Sequence, residues 1–218
     1  MQLEEMAAFF AARVEGYDQH MFANIEGAPE FYPATAALLR ECHCILDLGC
    51  GTGLEIGEIF IQNPTARITG IDLSPAMLAA LSEKFAARKT QLTLLQGDYF
   101  SLPFGEAQFD GAVSVESLHH FTHEEKLGLY QKLFAALTPG GLYVETDYMA
   151  PNQAYEDFYF AEARRLRAAQ GMESGFVHYD TPCTLENQTA LLRRAGFAAV
   201  ECRGRWENTY LLLARKEL

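Results

Sequence analysis

The chain has 218 residues, of which 49% are hydrophobic and 12% aromatic, enough to bury the core of one domain. Its 17 basic and 29 acidic side chains give a formal net charge of −12, which repels phosphate backbones and disfavours nucleic acid as a partner. The N-terminus shows no positively charged region followed by an apolar stretch, so we expect neither a signal peptide nor a membrane span, and a cytoplasmic protein.

The cysteine spacing predicts reduced thiols. The 5 cysteines include no C-x-x-C pair, which argues against a disulfide framework and against structural zinc. The segment Cys42-His43-Cys44 resembles a ligand cluster, but it leads directly into an apolar strand. We therefore expect no metal site.

Short β-like runs alternate with helical patterns, which predicts βαβ units and a mainly parallel sheet. The predicted strands are Cys44–Leu48, Arg67–Asp72, Leu92–Gln96, Phe109–Val115 and Leu142–Thr146. The runs Ala198–Arg203 and Thr209–Arg215 follow near the end of the chain and predict an antiparallel pair.

Helix start signals lie between these strands. Ser74 is placed to cap a helix with Pro75 in its first turn, Thr122 and Glu125 form a capping box, and Thr184 begins a helix that finishes at Gly196. The segment Thr138-Pro139-Gly140-Gly141 is expected to stop the preceding helix and to turn the chain into the fifth strand.

Two segments lie outside the alternation. Gln2–Ile25 predicts one or two helices, and Pro151–Gly171 predicts another. Such additions are natural covers over a site. We expect one domain with a helical cover over residues 1–40, a core over 44–147, an insertion over 148–180, and a C-terminal helix and strand pair over 181–218.

The stretch "ILDLGCGTG" ends the first strand in a glycine turn that carries Gly49, Gly51 and Gly53. Glycine permits positive φ and lets a ligand touch the main chain, and the following helix offers free N–H groups. The spacing is G-x-G-x-G, whereas the dinucleotide motif is G-x-G-x-x-G. The carboxylate of Asp47 before the turn would repel a diphosphate but attract an ammonium group.

Acidic residues also follow the next two strands. Asp72 ends the second strand, where an acid can accept both hydroxyl hydrogens of a ribose. Gly97-Asp98-Tyr99 follows the third strand and offers a carboxylate and an aromatic ring for a flat base. An ammonium, a ribose and a base, in that order along the sheet edge, describe S-adenosylmethionine.

With these motifs the sequence resembles the class I S-adenosylmethionine-dependent methyltransferases, in a small-molecule branch similar to ubiquinone/menaquinone methyltransferases. The matching segments, over roughly Cys44 to Asp147, are "ILDLGCGTG", "GIDLSPAML", "LLQGDYFSLPF", "FDGAVSVESLHHF" and "LTPGGLYVETD". The resemblance implies a Rossmann-like, seven-stranded mixed sheet, mostly parallel with its last strand antiparallel, and helices on both faces.

The resemblance also implies roles for individual residues. The methionine part would lie on Asp47 and on the turn residues Gly49, Cys50, Gly51 and Gly53. The ribose would bind Asp72, and the adenine would lie beside Leu73, Met77, Gly97, Asp98 and Tyr99. Val115 and Glu116 would line the channel to the methyl group, and Tyr17 would close over the cofactor.

An acceptor that must lose a proton would need a base, and the candidate catalytic residues are His119, His120 and Tyr17. His20, Glu116 and His178 belong to the same pool, and the histidine pair also fits a polar cap or a packing contact. Because no N-P-P-[FY]-like segment follows the fourth strand, a small metabolite is the preferred acceptor. We expect a monomer or homodimer.

Two other functions stay open at this point. A nicotinamide-dependent oxidoreductase could use a similar sheet, but the glycine spacing and Asp47 speak against it. A non-catalytic module that binds S-adenosylmethionine as a sensor or partner switch would carry the same motifs.

Overall fold

A computed structural model describes residues 2–172 and 174–218. In chain order, the strands are β1 Glu4–Glu5, β2 Cys44–Leu48, β3 Arg67–Asp72, β4 Leu92–Gln96, β5 Phe109–Val115, β6 Leu137–Tyr148, β7 Val177–His178, β8 Ala199–Trp206 and β9 Thr209–Arg215. The helices are α1 Met6–Ala11, α2 Tyr17–Asn24, α3 Ala28–Leu38, α4 Leu54–Gln62, α5 Pro75–Lys84, α6 His123–Ala136, α7 Gln153–Gln170 and α8 Leu185–Arg194.

Seven of the strands form one mixed sheet in the order β4-β3-β2-β5-β6-β9-β8. Strands β2 to β6 are parallel, and β9 runs antiparallel to both of its neighbours. The predicted fold class is therefore confirmed. Strand order reverses between β2 and β5, and ligands of open α/β sheets bind outside the carboxyl ends of the strands at such a point.

The inner strands of the sheet are buried on both faces, whereas the edge strands β4 and β8 are partly exposed, and the inner side chains alternate between two apolar layers. In β2, Leu46 and Leu48 pack in the layer that contains α6 and α8, whereas Ile45 packs in the layer of α3, α4 and α5. Successive residues of a strand point to opposite faces, so both helical layers pack directly on the sheet. This packing holds in place the carboxyl edge of the sheet, where the site lies.

The predicted helix starts are confirmed. Ser74 Oγ accepts a hydrogen bond from Met77 N, and Thr184 caps α8 in the same way. Thr122 and Glu125 form the complete capping box of α6. These bonds satisfy backbone N–H groups that would otherwise lack a partner at the helix ends.

Three predicted boundaries are wrong. The fifth predicted strand starts at Leu137 rather than Leu142, because the segment with Pro139 and the glycines forms a bulge within β6 instead of a separate turn. Strand β8 continues to Trp206, since Glu207 adopts a left-handed φ of 48° and closes a tight hairpin. Helix α8 ends at Arg194, before Gly196.

The N-terminal segment contains two helices, as predicted, and one element that was missed. Strand β1 pairs antiparallel with β7, with Glu4 opposite His178. Strands of two residues carry no periodic signal, which is why the sequence pattern does not predict this ribbon. The ribbon ties α1 to the chain that follows α7, at the carboxyl edge of the sheet.

Aromatic side chains of β8 and α7 also pack within the fold. Trp206 lies against Gly27 and Phe31, with its ring centroid 6.0 Å from that of Phe31. In α7, the rings of Tyr155 and Tyr159 stack with centroids 4.5 Å apart.

Among the described residues, no helix combines the length and apolar character needed to cross a bilayer.

Candidate functional site

The glycine turn after β2 is held by the neighbouring strand. Gly49 N and Cys50 N both donate to Ile71 O, at 2.8 Å and 3.1 Å. Gly49 has a φ of 76°, and a Cβ there would lie 2.1 Å from Ser117 Oγ, so the close approach of Ser117 to the turn requires glycine at this position. Gly51 has a φ of 48°, but its nearest neighbour, Gly49 O, is 4.0 Å from where a Cβ would be. Gly51 therefore faces open space.

Asp72 connects the end of β3 to that turn. Its Oδ2 accepts a hydrogen bond from Gly51 N at 2.9 Å, and its Oδ1 accepts one from Ser74 N at 2.8 Å. Burial raises the pKa of Asp72, while these two backbone donors lower it. A carboxylate has about four acceptor positions, so two hydrogen bonds leave capacity for ligand hydroxyls.

Asp47 is completely buried beneath the turn, and neither of its carboxylate oxygens has a hydrogen-bond partner among the described residues. Glu55, in the first turn of α4, is 4% exposed and lies beside it. Burial, and then the charge of Glu55, raise the pKa of Asp47 well above its usual range. Burial raises the pKa of Glu55 to about 8. The raised pKa values mean that the pair holds protons, although the charge of Lys84 lowers the pKa of Glu55, and a positive ligand group would favour loss of a proton from the pair.

A narrow crevice opens above these acids. Ten of the predicted site residues line it: Tyr17, Gly49, Gly51, Asp72, Leu73, Met77, Tyr99, Val115, Glu116 and His120. Met6 and Phe10 of α1 and Ser117 after β5 also line the crevice. The structure thus brings the ends of β2, β3 and β5 together under the N-terminal helices.

The other six predicted residues lie outside the crevice wall, and among them Asp47 is completely buried beneath the turn. Cys50 is buried with its thiol against Gly70, and Gly53 is the residue that begins α4. Gly97 packs against Leu102. Asp98 Oδ1 accepts a hydrogen bond from Phe100 N at 2.7 Å, and Asp98 Oδ2 accepts one from Ser101 Oγ at 2.5 Å. His119 lines a second cavity instead.

The second cavity adjoins the crevice and is wider, with a volume of about 820 Å³. It shares Phe10, Tyr17, Glu116 and His120 with the crevice. Four histidines lie in its wall: His20, His119, His120 and His178. Polar side chains from β5, β6 and the segment after β7 therefore meet at one end of this cavity, beside the crevice.

Three acidic side chains surround two of these histidines, and one of the three, Asp147, is buried. His119 Nδ1 lies 2.5 Å from Asp147 Oδ1 and 3.7 Å from Glu116 Oε2. Burial lowers the pKa of His119, but the charge and hydrogen bond of Asp147, together with the charges of Asp180 and Glu116, outweigh burial and raise the pKa to about 9. His120 Nδ1 lies 3.2 Å from Asp180 Oδ1, and burial followed by the charge of His119 lowers the pKa of His120.

Glu116 has a conformation that is rare for a residue with a side chain. Its φ is 47°, in the left-handed region, and Glu116 N donates to Thr146 O at 2.8 Å. Glu116 Oε1 accepts a hydrogen bond from Thr209 Oγ1 at 2.9 Å, and burial raises the pKa of Glu116 to about 7. Backbone strain of this kind clusters at functional sites.

Sequence reasoning missed several residues of this site. Asp147 is the next-to-last residue of β6, as Asp47 is of β2, so the rule that selected Asp47 and Asp72 would have selected it too. The sequence signal for Glu55 was weaker. Glu55 lies in the first turn of the helix that follows the glycine motif, and that motif already contains the acidic residue Asp47. Asp180 had no local signal, because its position depends on the path of the chain after α7.

The Glu55 carboxyl makes the stability of the free protein depend on pH. Its pKa of about 8 lies above its unfolded value, so the folded state binds more protons than the unfolded state and loses stability as pH rises toward 8. Asp47, Asp72 and Lys84 are the charged groups that face it. The unfolding free energy of Glu55→Gln minus that of wild type should therefore rise by about 1–3 kcal/mol from pH 5 to pH 9.

Denaturant titration at the two pH values measures this difference. Glu83→Gln, a change of an exposed glutamate on α5, is the control and should keep the wild-type pH dependence. Equal pH dependence in Glu55→Gln and wild type would contradict a buried, protonated Glu55.

Comparison with known proteins identifies the same core. Residues 45–141 match the family model described as "Methyltransferase domain". The chain is 32% identical over 163 residues to the biotin biosynthesis bifunctional protein BioHC of Teredinibacter turnerae, a match that covers 72% of this chain and 26% of that protein. It is 29% identical over 177 residues to erythromycin 3''-O-methyltransferase of Saccharopolyspora erythraea, covering 80% and 57% of the two chains.

The fold agrees with these matches. Human N-acetylserotonin methyltransferase, in a crystal structure with SAM, aligns with a TM-score of 0.69 at 18% identity, over 97% of this chain and 57% of that chain. Against these curated relatives the chain spans between about a quarter and somewhat over half of their length. By its motifs, its sheet and its sequence relatives, the chain belongs to the class I S-adenosylmethionine-dependent methyltransferase family.

Proposed function

We propose that the protein transfers a methyl group from S-adenosylmethionine to a small-molecule acceptor held in the wider cavity. The observation that carries this proposal is the unpartnered, buried carboxyl of Asp47 beside Glu55, under a glycine turn that faces open space. This cation-binding pair fits the amino group of the cofactor's methionine part. A nicotinamide cofactor carries a diphosphate, which the same pair would repel.

The remaining crevice residues match the rest of the cofactor. Asp72 keeps acceptor capacity for the ribose hydroxyls, and Leu73 and Met77 form an apolar wall for the adenine. Asp98 uses its carboxylate to close its own turn, so a role at the adenine rests on the predicted motif alone. Val115 and Glu116 border the passage toward the second cavity.

The acceptor would lie in the 820 Å³ cavity, because that cavity shares its wall with the crevice. The bound cofactor supplies a methyl group already activated by a sulfonium, so the protein mainly aligns the nucleophile and excludes water. Met6 and Phe10 would exclude water from above the crevice. Tyr17, His119 and His120 would hold the acceptor's nucleophile by hydrogen bonds.

A small-molecule acceptor suits both the cavity and the charge of the chain. The cavity is within the range of small-ligand pockets, and a net charge of −12 disfavours nucleic acid. One relative, the erythromycin 3''-O-methyltransferase, is named for a small-molecule acceptor. The acceptor's nucleophilic atom would face His120, which lines both spaces.

Calorimetry and turnover together test the proposal. The purified chain should bind S-adenosylmethionine and its demethylated product but not NAD, and it should release demethylated product when incubated with a panel of small metabolites. Binding without release of product on any acceptor would favour a non-catalytic sensor. Binding of NAD in place of S-adenosylmethionine would contradict the cofactor assignment.

Gly51→Ala tests the crevice directly. The new Cβ would enter the space above the turn and should reduce S-adenosylmethionine affinity at least tenfold, besides a backbone cost of about 1–2 kcal/mol at this φ. Gly171→Ala is the matched control, since Gly171 also has a left-handed φ, 65°, with open space around it, but ends α7. The control should lose similar stability and keep full affinity. Equal affinity in both variants would show that no ligand approaches Gly51.

A further inference from the structure

Three side chains in the wall of the wider cavity present metal-ligating atoms to one another. His119, His120 and Asp180 each offer one such atom, and the three atoms lie within 4.8 Å of one another. Asp180 Oδ1 is 3.7 Å from His119 Nε2 and 3.2 Å from His120 Nδ1. Neighbouring ligands of an ion bound at about 2.1 Å are about 3.0–3.4 Å apart. The two distances to Asp180 are within a few tenths of an ångström, roughly, of that spacing, and the two histidine nitrogens, at most 4.8 Å apart, would move toward each other to hold an ion.

A second carboxylate fixes the orientation of His119. Asp147 Oδ1 lies 2.5 Å from His119 Nδ1, and Asp147 itself accepts hydrogen bonds from Leu118 N and Tyr148 N, each at 2.9 Å. Metal-ligating histidines almost always donate their other ring N–H to such a partner. With Nδ1 committed to Asp147, Nε2 is the atom that His119 turns toward Asp180.

The local charge also favours a cation. Glu116, Asp147 and Asp180 surround the two imidazoles, with Glu116 Oε2 3.7 Å from His119 Nδ1. The two histidine side chains are no more than 9% exposed, whereas the Asp180 side chain is 43% exposed, so water screens the charge of Asp180 more than that of buried Asp147. His178 also faces the cluster, with its ring centroid 4.8 Å from that of His120, and the charge of Lys126 acts on Asp147.

We propose that His119, His120 and Asp180 form a binding site for a first-row divalent transition-metal ion, with Asp147 as the residue that orients His119. Two imidazole nitrogens and one carboxylate oxygen suit Zn²⁺, Co²⁺, Mn²⁺ or Fe²⁺, whereas Mg²⁺ and Ca²⁺ prefer oxygen ligands throughout. Three protein ligands leave further coordination positions, and the adjoining cavity gives access to them.

The ion site stands on this geometry alone, but its part in catalysis rests on the proposed function. A bound ion would ligate an acceptor through an ionisable oxygen, such as a carboxylate, phenol or enol, and hold it at the end of the cavity that His120 shares with the crevice. The acceptor class would then be a small molecule with an oxygen that can coordinate a metal.

Three other arrangements compete with this one. A protonated His119 would donate Nδ1–H to Asp147 and Nε2–H toward Asp180, and His120 Nδ1 also lies 3.4 Å from Tyr179 O. Glu116, His119 and Asp147 also bring ligand atoms within 4.8 Å, but the 2.5 Å contact between His119 Nδ1 and Asp147 Oδ1 leaves no room for an ion between those two atoms. A second cluster, His123, Glu156 and Cys183, also brings ligand atoms within 4.8 Å. Its Glu156 Oε2 already accepts a hydrogen bond from Thr184 N at 2.5 Å, and Cys183 accepts one from Lys126. The second cluster is therefore the weaker candidate.

Titration of the full chain with Co²⁺, after dialysis against a chelator, tests the site without the cofactor. Visible absorption should report uptake of one equivalent, and Zn²⁺ should displace it. Asp180→Asn, which keeps the side-chain shape, should weaken Co²⁺ binding at least tenfold, and Asp147→Asn should weaken it about 10- to 100-fold. His20→Gln, in the same cavity, and His123→Gln, in the second cluster, should bind Co²⁺ as wild type does.

Absence of Co²⁺ uptake by the folded wild-type chain would overturn the proposal, as would full uptake by Asp180→Asn. Loss of uptake in His123→Gln with retention in Asp180→Asn would assign the ion to the second cluster and would also overturn it. Circular dichroism of each variant monitors folding, and His120→Gln replaces Asp180→Asn if the latter does not fold. S-adenosylmethionine affinity, measured on the same preparations, reports the proposed function separately.

Discussion

The site depends on one electrostatic arrangement, a pair of carboxyl groups buried under a glycine turn whose raised pKa values keep protons on the pair in the free protein. Asp47 is the next-to-last residue of β2 and Glu55 lies in the first turn of α4, so the turn between them brings the two acids together as a consequence of the strand-turn-helix connection. Such a pair costs stability in the free protein. A bound ammonium group would offset that cost, and this relief would contribute to the affinity for the ligand.

The sheet supplies the rest of the arrangement through its topology. Strand order reverses between β2 and β5, so the helices that follow these strands lie on opposite faces and leave a crevice at the carboxyl edge. Asp72 then links the edge of β3 to the turn through Gly51 N. Helix α1 covers this edge because β1 is paired with β7, and it brings Met6 and Phe10 to the crevice.

Local sequence signals predicted most of the sheet and the caps. Alternating apolar runs located the strands, and Ser74, Thr122 and Thr184 located helix starts, because these features depend on residues that are neighbours in the chain. The carboxyl edge of the sheet could be inferred from the same pattern, since parallel strands end on one side. Asp147 fits that inference and was overlooked.

The acceptor side could not be predicted in this way. Asp180 reaches His119 and His120 across about sixty positions of sequence, and the contact depends on how the chain returns from α7. The β1–β7 ribbon likewise joins distant segments through only two residue pairs. Long-range contacts of this kind leave no periodic pattern, so only the folded structure reveals that the two cavities share a wall.

Proton release on cofactor binding tests the central claim most directly. S-adenosylmethionine binding measured near pH 7 by calorimetry, in buffers of different ionisation enthalpy, should release close to one proton from wild type, because the ammonium group lowers the pKa of the Glu55 carboxyl. Glu55→Gln should bind with clearly less release. Binding of S-adenosylmethionine to wild type without proton release, or with the same release in the variant, would contradict the buried acid pair as the cation site.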